Sequence, residues 1–189
     1  MPSSQPVRVL ALCGSLRKAS YNRALLRAAQ EVAPDGMTIE DYDGLAGIPP
    51  FNQDVLDAGG FPAEPQRLRD MIKRADAVLF VTPEYNFSVP GVLKNAIDWA
   101  SRPPETPFTR KPCAIMGATT GAIGTSRAQY HLRQMCVFLD MYPINKPEVL
   151  VAFAAQKFDK DGKLTDQATA GFVKDLLANL RDWTNKLKG

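Results

Sequence analysis

Residues 7–23, VRVLALCGSLRKASYNR, pass from an apolar segment through a polar loop into a helical pattern. Val7–Cys13 is apolar on both faces, as a central strand of a helix-covered parallel sheet must be. The loop at 14–22 that follows is crowded with hydroxyls, an amide and cations, yet holds one glycine, Gly14. It has neither the G-x-x-x-x-G-K-[ST] of a nucleoside-triphosphate loop nor the G-x-G-x-x-G of a dinucleotide fold. A helix N-terminus offers unpaired amides and the positive end of the dipole, so an anion is stabilised there. Ser15, Ser20 and Asn22 add short side chains, and Arg17, Lys18 and Arg23 add charge. Many donors beside one glycine suit a compact terminal phosphate. The same residues also suit a plain helix N-cap at Ser20 or Asn22.

Outward from this stretch, 77–82 (AVLFVT) and 113–118 (CAIMGA) repeat the doubly apolar strand pattern, with weaker strands at Met37–Asp41 and within 144–153. Stripes of helical period lie between them: Leu25, Ala29 and Val32; Leu68, Met71, Ile72 and Ala75; Leu93, Ala96, Ile97 and Ala100; Ala128, Leu132, Met135 and Leu139. A last stripe runs through Phe172, Leu176, Leu180, Trp183 and Leu187. Alternating strands and helices predict an α/β three-layer sandwich with five parallel strands and helices on both faces. The flavodoxin-like order 2-1-3-4-5 is among the arrangements open to such a chain. With 189 residues, no linker and no repeat, the expectation is one domain over 1–189.

Composition narrows the function classes. A net charge of +3 is too weak for a nucleic-acid binder. No apolar run reaches the roughly 20 residues of a membrane span, and the N-terminal residues do not read as a signal peptide. Cys13, Cys113 and Cys136 are widely spaced, and with the single His131 they match no metal-binding pattern. Free thiols fit a reducing, cytoplasmic setting.

In an open parallel sheet the ligand crevice lies outside the carboxyl ends of the strands, where the strand order reverses. Order 2-1-3-4-5 brings two loops there. One is 14–22. The other is 82–91, TPEYNFSVPG, stiffened by Pro83 and Pro90 and carrying the flat side chains of Tyr85 and Phe87. A planar heterocycle with polar edges fits beside such a row; so does a rigid surface loop packed on its own helix, with Lys94, Asn95, Asp98 and Trp99 an ordinary helix face. A third loop at 118–126 holds Gly121 and Gly124, which permit close backbone approach or simply make a turn.

Together, GSLRKASYNR, TPEYNFSVPGVLKNAIDWAS, TTGAIGTSRAQYHLRQ and INKPEV resemble the NAD(P)H-dependent FMN reductase family, in particular its quinone and chromate reductase branch. The resemblance runs along essentially the whole chain. It implies that the anion is the 5′-phosphate of bound FMN, met by Ser15, Arg17, Ser20, Tyr21 and Asn22. Pro83, Glu84, Tyr85, Asn86 and Phe87 would line the isoalloxazine ring, largely through main-chain groups, and Thr119 would close the site. The pattern G-S-x-R-x-x-S-x-N is intact, with Ala19 where close relatives carry glycine. The implied activity moves hydride from NADPH or NADH to a quinone, free flavin, chromate or other small oxidant. No side chain is expected to act as acid, base or nucleophile; Glu84 and His131 read as an exposed carboxylate and a helix-surface histidine. The resemblance further implies a homodimer or homotetramer, with Trp99, Tyr130 and Glu148 at subunit contacts. A flavodoxin-type electron carrier is the rival reading, although such carriers are usually strongly acidic.

Overall fold

The computed structural model describes residues 6–188; of the stretch read for a signal peptide, residues 1–5 lie outside the described range. Strand β1 (Val7–Cys13) leads into helix α1 (Tyr21–Glu31), followed by β2 (Met37–Asp41), α2 (Gln53–Gly59), α3 (Ala63–Arg74), β3 (Ala77–Val81) and α4 (Gly91–Ala100). The chain continues through β4 (Pro112–Ala118), α5 (Ser126–Phe138), β5 (Tyr142–Pro143), β6 (Val149–Val151) and α6 (Gln167–Lys188). All strand pairs are parallel, in the order β2-β1-β3-β4-β5. The fifth position is divided. β5 pairs the start of β4 and β6 its end, where Met116 aligns with Val149. The expected strand within 144–153 is thus β6, and the short β5 precedes it.

Alternating strand residues build two cores, because successive side chains leave a strand on opposite faces. Leu10, Leu12, Phe80 and Ile115 pack under α3, α4 and α5. Val9, Ala11, Leu79 and Met116 pack under α1 and α6. β1, β3 and β4 are buried on both faces, whereas β2, at the sheet edge, buries chiefly Met37.

Two sequence expectations shift. The buried stripe of α6 runs through Val173, Leu176, Leu177, Leu180 and Thr184, leaving Phe172 exposed. Trp99 is fully buried and does not reach the surface. The segment between β2 and α3 folds across α4, so that Phe51 meets the indole edge-on at 5.0 Å and Trp99 Nε1 donates to the Pro49 carbonyl at 2.8 Å. Covered in this way, Trp99 is a core residue and offers nothing to a partner. Among the described residues no helix is long and apolar enough to cross a membrane, and no cluster of His, Cys, Asp and Glu could hold a metal ion.

Candidate functional site

At the carboxyl end of β1 the chain leaves the sheet with a row of uncommitted donors. Among the described residues, the backbone N–H groups of Leu16, Arg17, Lys18 and Ala19 donate to no carbonyl within the chain, while Ser15 N–H is directed at the Cys13 thiol. Ser15 is buried, and its hydroxyl has no partner among the described residues. Ser20 caps α1, its Oγ accepting from Asn22 N at 3.1 Å, which leaves its own O–H to donate. This convergence at a helix N-terminus is a ready anion site.

Two residues of this stretch act differently from what their types suggest. The Asn22 side chain closes a reciprocal pair with the Ala118 backbone, Nδ2 to O and N to Oδ1, both at 2.9 Å. It latches α1 to the end of β4, leaving one amide hydrogen and spare acceptor capacity. Arg23 is taken by an ion pair with Asp41, so its charge is already spent. Burial pushes the Asp41 carboxyl up despite that pairing, and its Oδ1 is buried without a partner.

The second loop is a two-residue hairpin. Tyr85 and Ser88 exchange backbone hydrogen bonds, each 3.0 Å, around Asn86 and Phe87, which both have positive φ, 50° and 64°. That is the backbone of a primed turn, which phenylalanine rarely adopts. Holding such a residue costs on the order of 1–3 kcal/mol, and strain of this kind gathers where a chain must present a particular surface. Phe87 is 64% exposed, with the Arg127 guanidinium 3.9 Å over its ring.

Four contacts tie the hairpin to α5. The Glu84 carboxylate accepts from Ala128 N at 3.2 Å and from Arg127 at 3.4 Å, Arg127 covers Phe87, and Ser88 Oγ meets His131 Nδ1 at 2.9 Å. Glu84 is therefore not the exposed carboxylate expected: its side chain is only 11% exposed and caps the start of α5. His131 likewise is half-buried and bonded to the hairpin.

Glycines let the loops meet. A Cβ on Gly14 would come within 3.2 Å of Leu93 and 3.4 Å of both Pro83 and Pro90, so this glycine seats the first loop on the second. A Cβ on Gly117 would overlap the Thr82 carbonyl oxygen and the Thr125 hydroxyl, so only glycine lets β4 run this close to the start of the hairpin. Thr119 N donates to Val151 O at 3.0 Å and Ala154 N to Thr119 O at 2.9 Å, which fixes the third loop against the exit of β6.

Ser15, Arg17, Ser20, Tyr21, Asn22, Pro83, Glu84, Tyr85 and Thr119 line one cavity of about 170 Å³, joined by Ala118 and Thr120. Asn86 and Phe87 stand outside that lining, at the hairpin tip. The volume lies below the roughly 300–1,000 Å³ that enclose a drug-sized ligand. The cavity therefore suits the charged end of a ligand whose flat part rests outside it, along the hairpin. A hollow of about 540 Å³ between α4 and α5 mixes Ile97, Met135 and Leu139 with polar side chains that are already engaged, Lys94 with Asp98, Arg102 with the Asp98 carbonyl and His131 with Ser88. Sequence reasoning missed the Asn22 latch, the Glu84 cap and Arg127. Each joins segments far apart in the chain, and no local spacing announces such a contact.

Residues 7–156 match the NADPH-dependent FMN reductase family. The chain is 53% identical to an NAD(P)H-dependent FMN reductase of Pseudomonas aeruginosa, covering 98% of this chain and 100% of that one. It is 48% identical to an NAD(P)H:quinone oxidoreductase of Solanum tuberosum, covering 99% and 98%. A quinone reductase of Escherichia coli strain K12 is 42% identical, covering 98% and 99%. Among solved structures, the flavoenzyme NAD(P)H:(acceptor) oxidoreductase FerB of Paracoccus denitrificans superposes with a TM-score of 0.86 at 36% identity, covering 95% and 98%. Fold, loop geometry and these similarities agree: the chain belongs to the NADPH-dependent FMN reductase family.

Proposed function

We propose that the chain acts as a single FMN-binding domain that oxidises NADPH or NADH and passes the electrons to a quinone, with free flavin and chromate as further acceptors. The observation that carries this reading is the row of unpaired N–H groups from Leu16 to Ala19, leading to a helix N-terminus beside a strained hairpin. The donor set fits the group: amides and hydroxyls for a phosphate, a flat edge for a ring. The backbone of residues 15–20, with Ser15, Arg17, Ser20, Tyr21 and Asn22, would hold the 5′-phosphate. The segment from Pro83 to Phe87 would line the ring, and Thr119 would close the far side. The chemistry that FMN would supply when bound is two-electron transfer, as hydride from the nicotinamide and onward to the acceptor. The chain's part is to hold the ring rigidly, keep one face open and supply dipoles near its edge.

With one open face, donor and acceptor must occupy the same space in turn, because hydride transfer needs reacting atoms about 3–3.5 Å apart. Three buried free thiols support cytoplasmic placement. Assembly as a homodimer or homotetramer is supported by the exposed Tyr130, Val137 and Phe138 on α5, where Tyr130 also donates to Glu148 at 3.0 Å. The test is an anaerobic titration of the FMN-loaded protein with each nucleotide, followed by steady-state turnover with a panel of quinones. Bleaching by nucleotide, recovery on adding quinone and parallel double-reciprocal lines are expected. An FMN-loaded protein that no nucleotide reduces would be a carrier instead.

A further inference from the structure

Beside the small cavity lies a hollow of about 560 Å³, and Arg17, Ser20 and Tyr21 line both. The hollow lies between the outer side of α1, at Ala24 and Arg27, and the turn at Asp159, Lys160, Asp161 and Gly162. Its cations are uncommitted. Among the described residues Lys18, Arg27 and Lys160 have neither ion pair nor side-chain hydrogen bond, and Arg17 reaches only the Ala19 carbonyl at 3.5 Å. Nearby basic residues outside the hollow are matched, Arg23 to Asp41 and Lys157 to Asp166. The acids of the turn do not cancel the charge. Asp159 is turned inward, its Oδ1 accepting from the amides of Asp161 at 3.0 Å and Lys163 at 2.8 Å, which leaves Asp161 as the only other carboxylate in the lining.

A concave surface with unpaired cations, beside a phosphate-sized cavity, suits a second phosphate on a ligand that passes over the first site. We propose that this hollow receives the adenosine 2′-phosphate end of NADPH, and that Lys18, Arg27 and Lys160 set a preference for NADPH over NADH. The inference rests on the small cavity being the flavin-phosphate site: a nicotinamide laid on the ring then trails its pyrophosphate back over Arg17 and Tyr21 into the hollow. The 2′-phosphate is the one chemical difference between the two nucleotides, so cations that meet it act on one donor and not the other. Cations already committed to carboxylates would gain little from it.

The test compares the wild-type protein with the Lys18→Ala/Lys160→Ala double variant and with Arg27→Ala. Flavin content is read by absorbance, kcat/KM is measured for NADPH and NADH, and 2′,5′-ADP and 5′-AMP binding is measured by calorimetry. Wild type should favour NADPH, and 2′,5′-ADP should bind more tightly than 5′-AMP. Each lost cation should lower kcat/KM for NADPH about three- to fivefold through KM, as expected of exposed pairs. In Arg27→Ala, which lies outside the flavin loop, turnover with NADH and flavin content should stay within twofold, and added salt should shrink the NADPH advantage. No preference in the wild type, or a preference that survives in both variants, would overturn the proposal. Calorimetry needs no flavin. A protein that fails to take up FMN but binds 2′,5′-ADP through Lys18 and Lys160 would overturn the functional reading and uphold the hollow as a phosphate site.

Discussion

At the amino end of the sheet, Asp76 accepts from the backbone N–H of Arg8 at 2.8 Å, from the Arg8 guanidinium at 3.3 Å and from the Lys188 ammonium at 3.0 Å. Beside it the Lys111 ammonium donates to the Ala75 carbonyl at 2.5 Å. At the carboxyl end the Ser15 hydroxyl and the amides from Leu16 to Ala19 have no acceptor among the described residues, and the hairpin keeps Phe87 in a backbone state it disfavours. The same parallel sheet ends in closed polar pairs on one side and in open donors with strained backbone on the other. An end that binds nothing can be stabilised by matching its charges. An end that binds an anion must leave its donors unmatched and take its rigidity from elsewhere, here from the Asn22 latch, the Glu84 cap and the glycine contacts.

Asn22 is where the comparison breaks most forcefully, because it sits at the open end and does a closed-end task. Asn22→Ala would strip the hydrogen bonds from the buried N–H and C=O of Ala118. Leaving both unsatisfied should cost about 2–4 kcal/mol of stability. Chemical denaturation would measure this, and FMN binding should weaken more than riboflavin binding, because Asn22 also lines the phosphate cavity. An Asn22→Ala protein of undiminished stability would take Asn22 out of the scaffold and leave it to the phosphate alone.

A smaller loss is expected at the closed end. Burial alone would raise the Asp76 carboxyl, but the Arg8 amide, Lys188 and the Arg8 guanidinium overrule it and hold it below the usual carboxylate range. A folded-state pKa below the unfolded value of about 3.9 gives stability that is present above that value and is lost as pH falls through the folded one. Asp76→Asn should therefore lower stability by about 1–2 kcal/mol at neutral pH and flatten the acid limb of a pH–stability curve. FMN affinity should not move, and a large change in it would show that the two ends are energetically coupled.

The smallest effect concerns the strained hairpin. Phe87→Asn places a residue that tolerates positive φ at the same backbone position. Stability should rise by up to about 1 kcal/mol, while kcat/KM for a quinone should fall as the flat surface shrinks. A variant that gains stability and keeps full turnover would make the phenylalanine incidental to the site.

The layered fold could be read in the sequence because its evidence is local. Strands apolar on both faces, such as Val7–Cys13, must be central, and helical stripes between them must cover the sheet. The loops at the carboxyl ends were legible for the same reason: the hydroxyls at 15 and 20 and the prolines at 83 and 90 carry their meaning in their own neighbourhoods. What stayed hidden depends on distant partners. Trp99 reads as a surface aromatic until Phe51 and Pro49 are seen to cover it. Glu84 reads as a free carboxylate until the start of α5 arrives beside it, and Arg23 reads as a free cation until Asp41 claims it. Helical phase in α6 was misjudged because Phe172, an apolar residue, is exposed beside the buried Val173.

The central claim is that the open donors at the start of α1 hold the phosphate of FMN. Its most direct test is the ratio of FMN to riboflavin affinity, measured by fluorescence quenching in the wild type and in a Ser15→Ala/Ser20→Ala variant. Losing the Ser20 cap weakens the helix for both flavins alike, so the ratio isolates the phosphate. Each lost charge-assisted hydrogen bond should cost roughly 1.5–3 kcal/mol, so the ratio of FMN to riboflavin affinity should fall by at least tenfold. Equal weakening of both flavins would contradict the account and place the phosphate elsewhere.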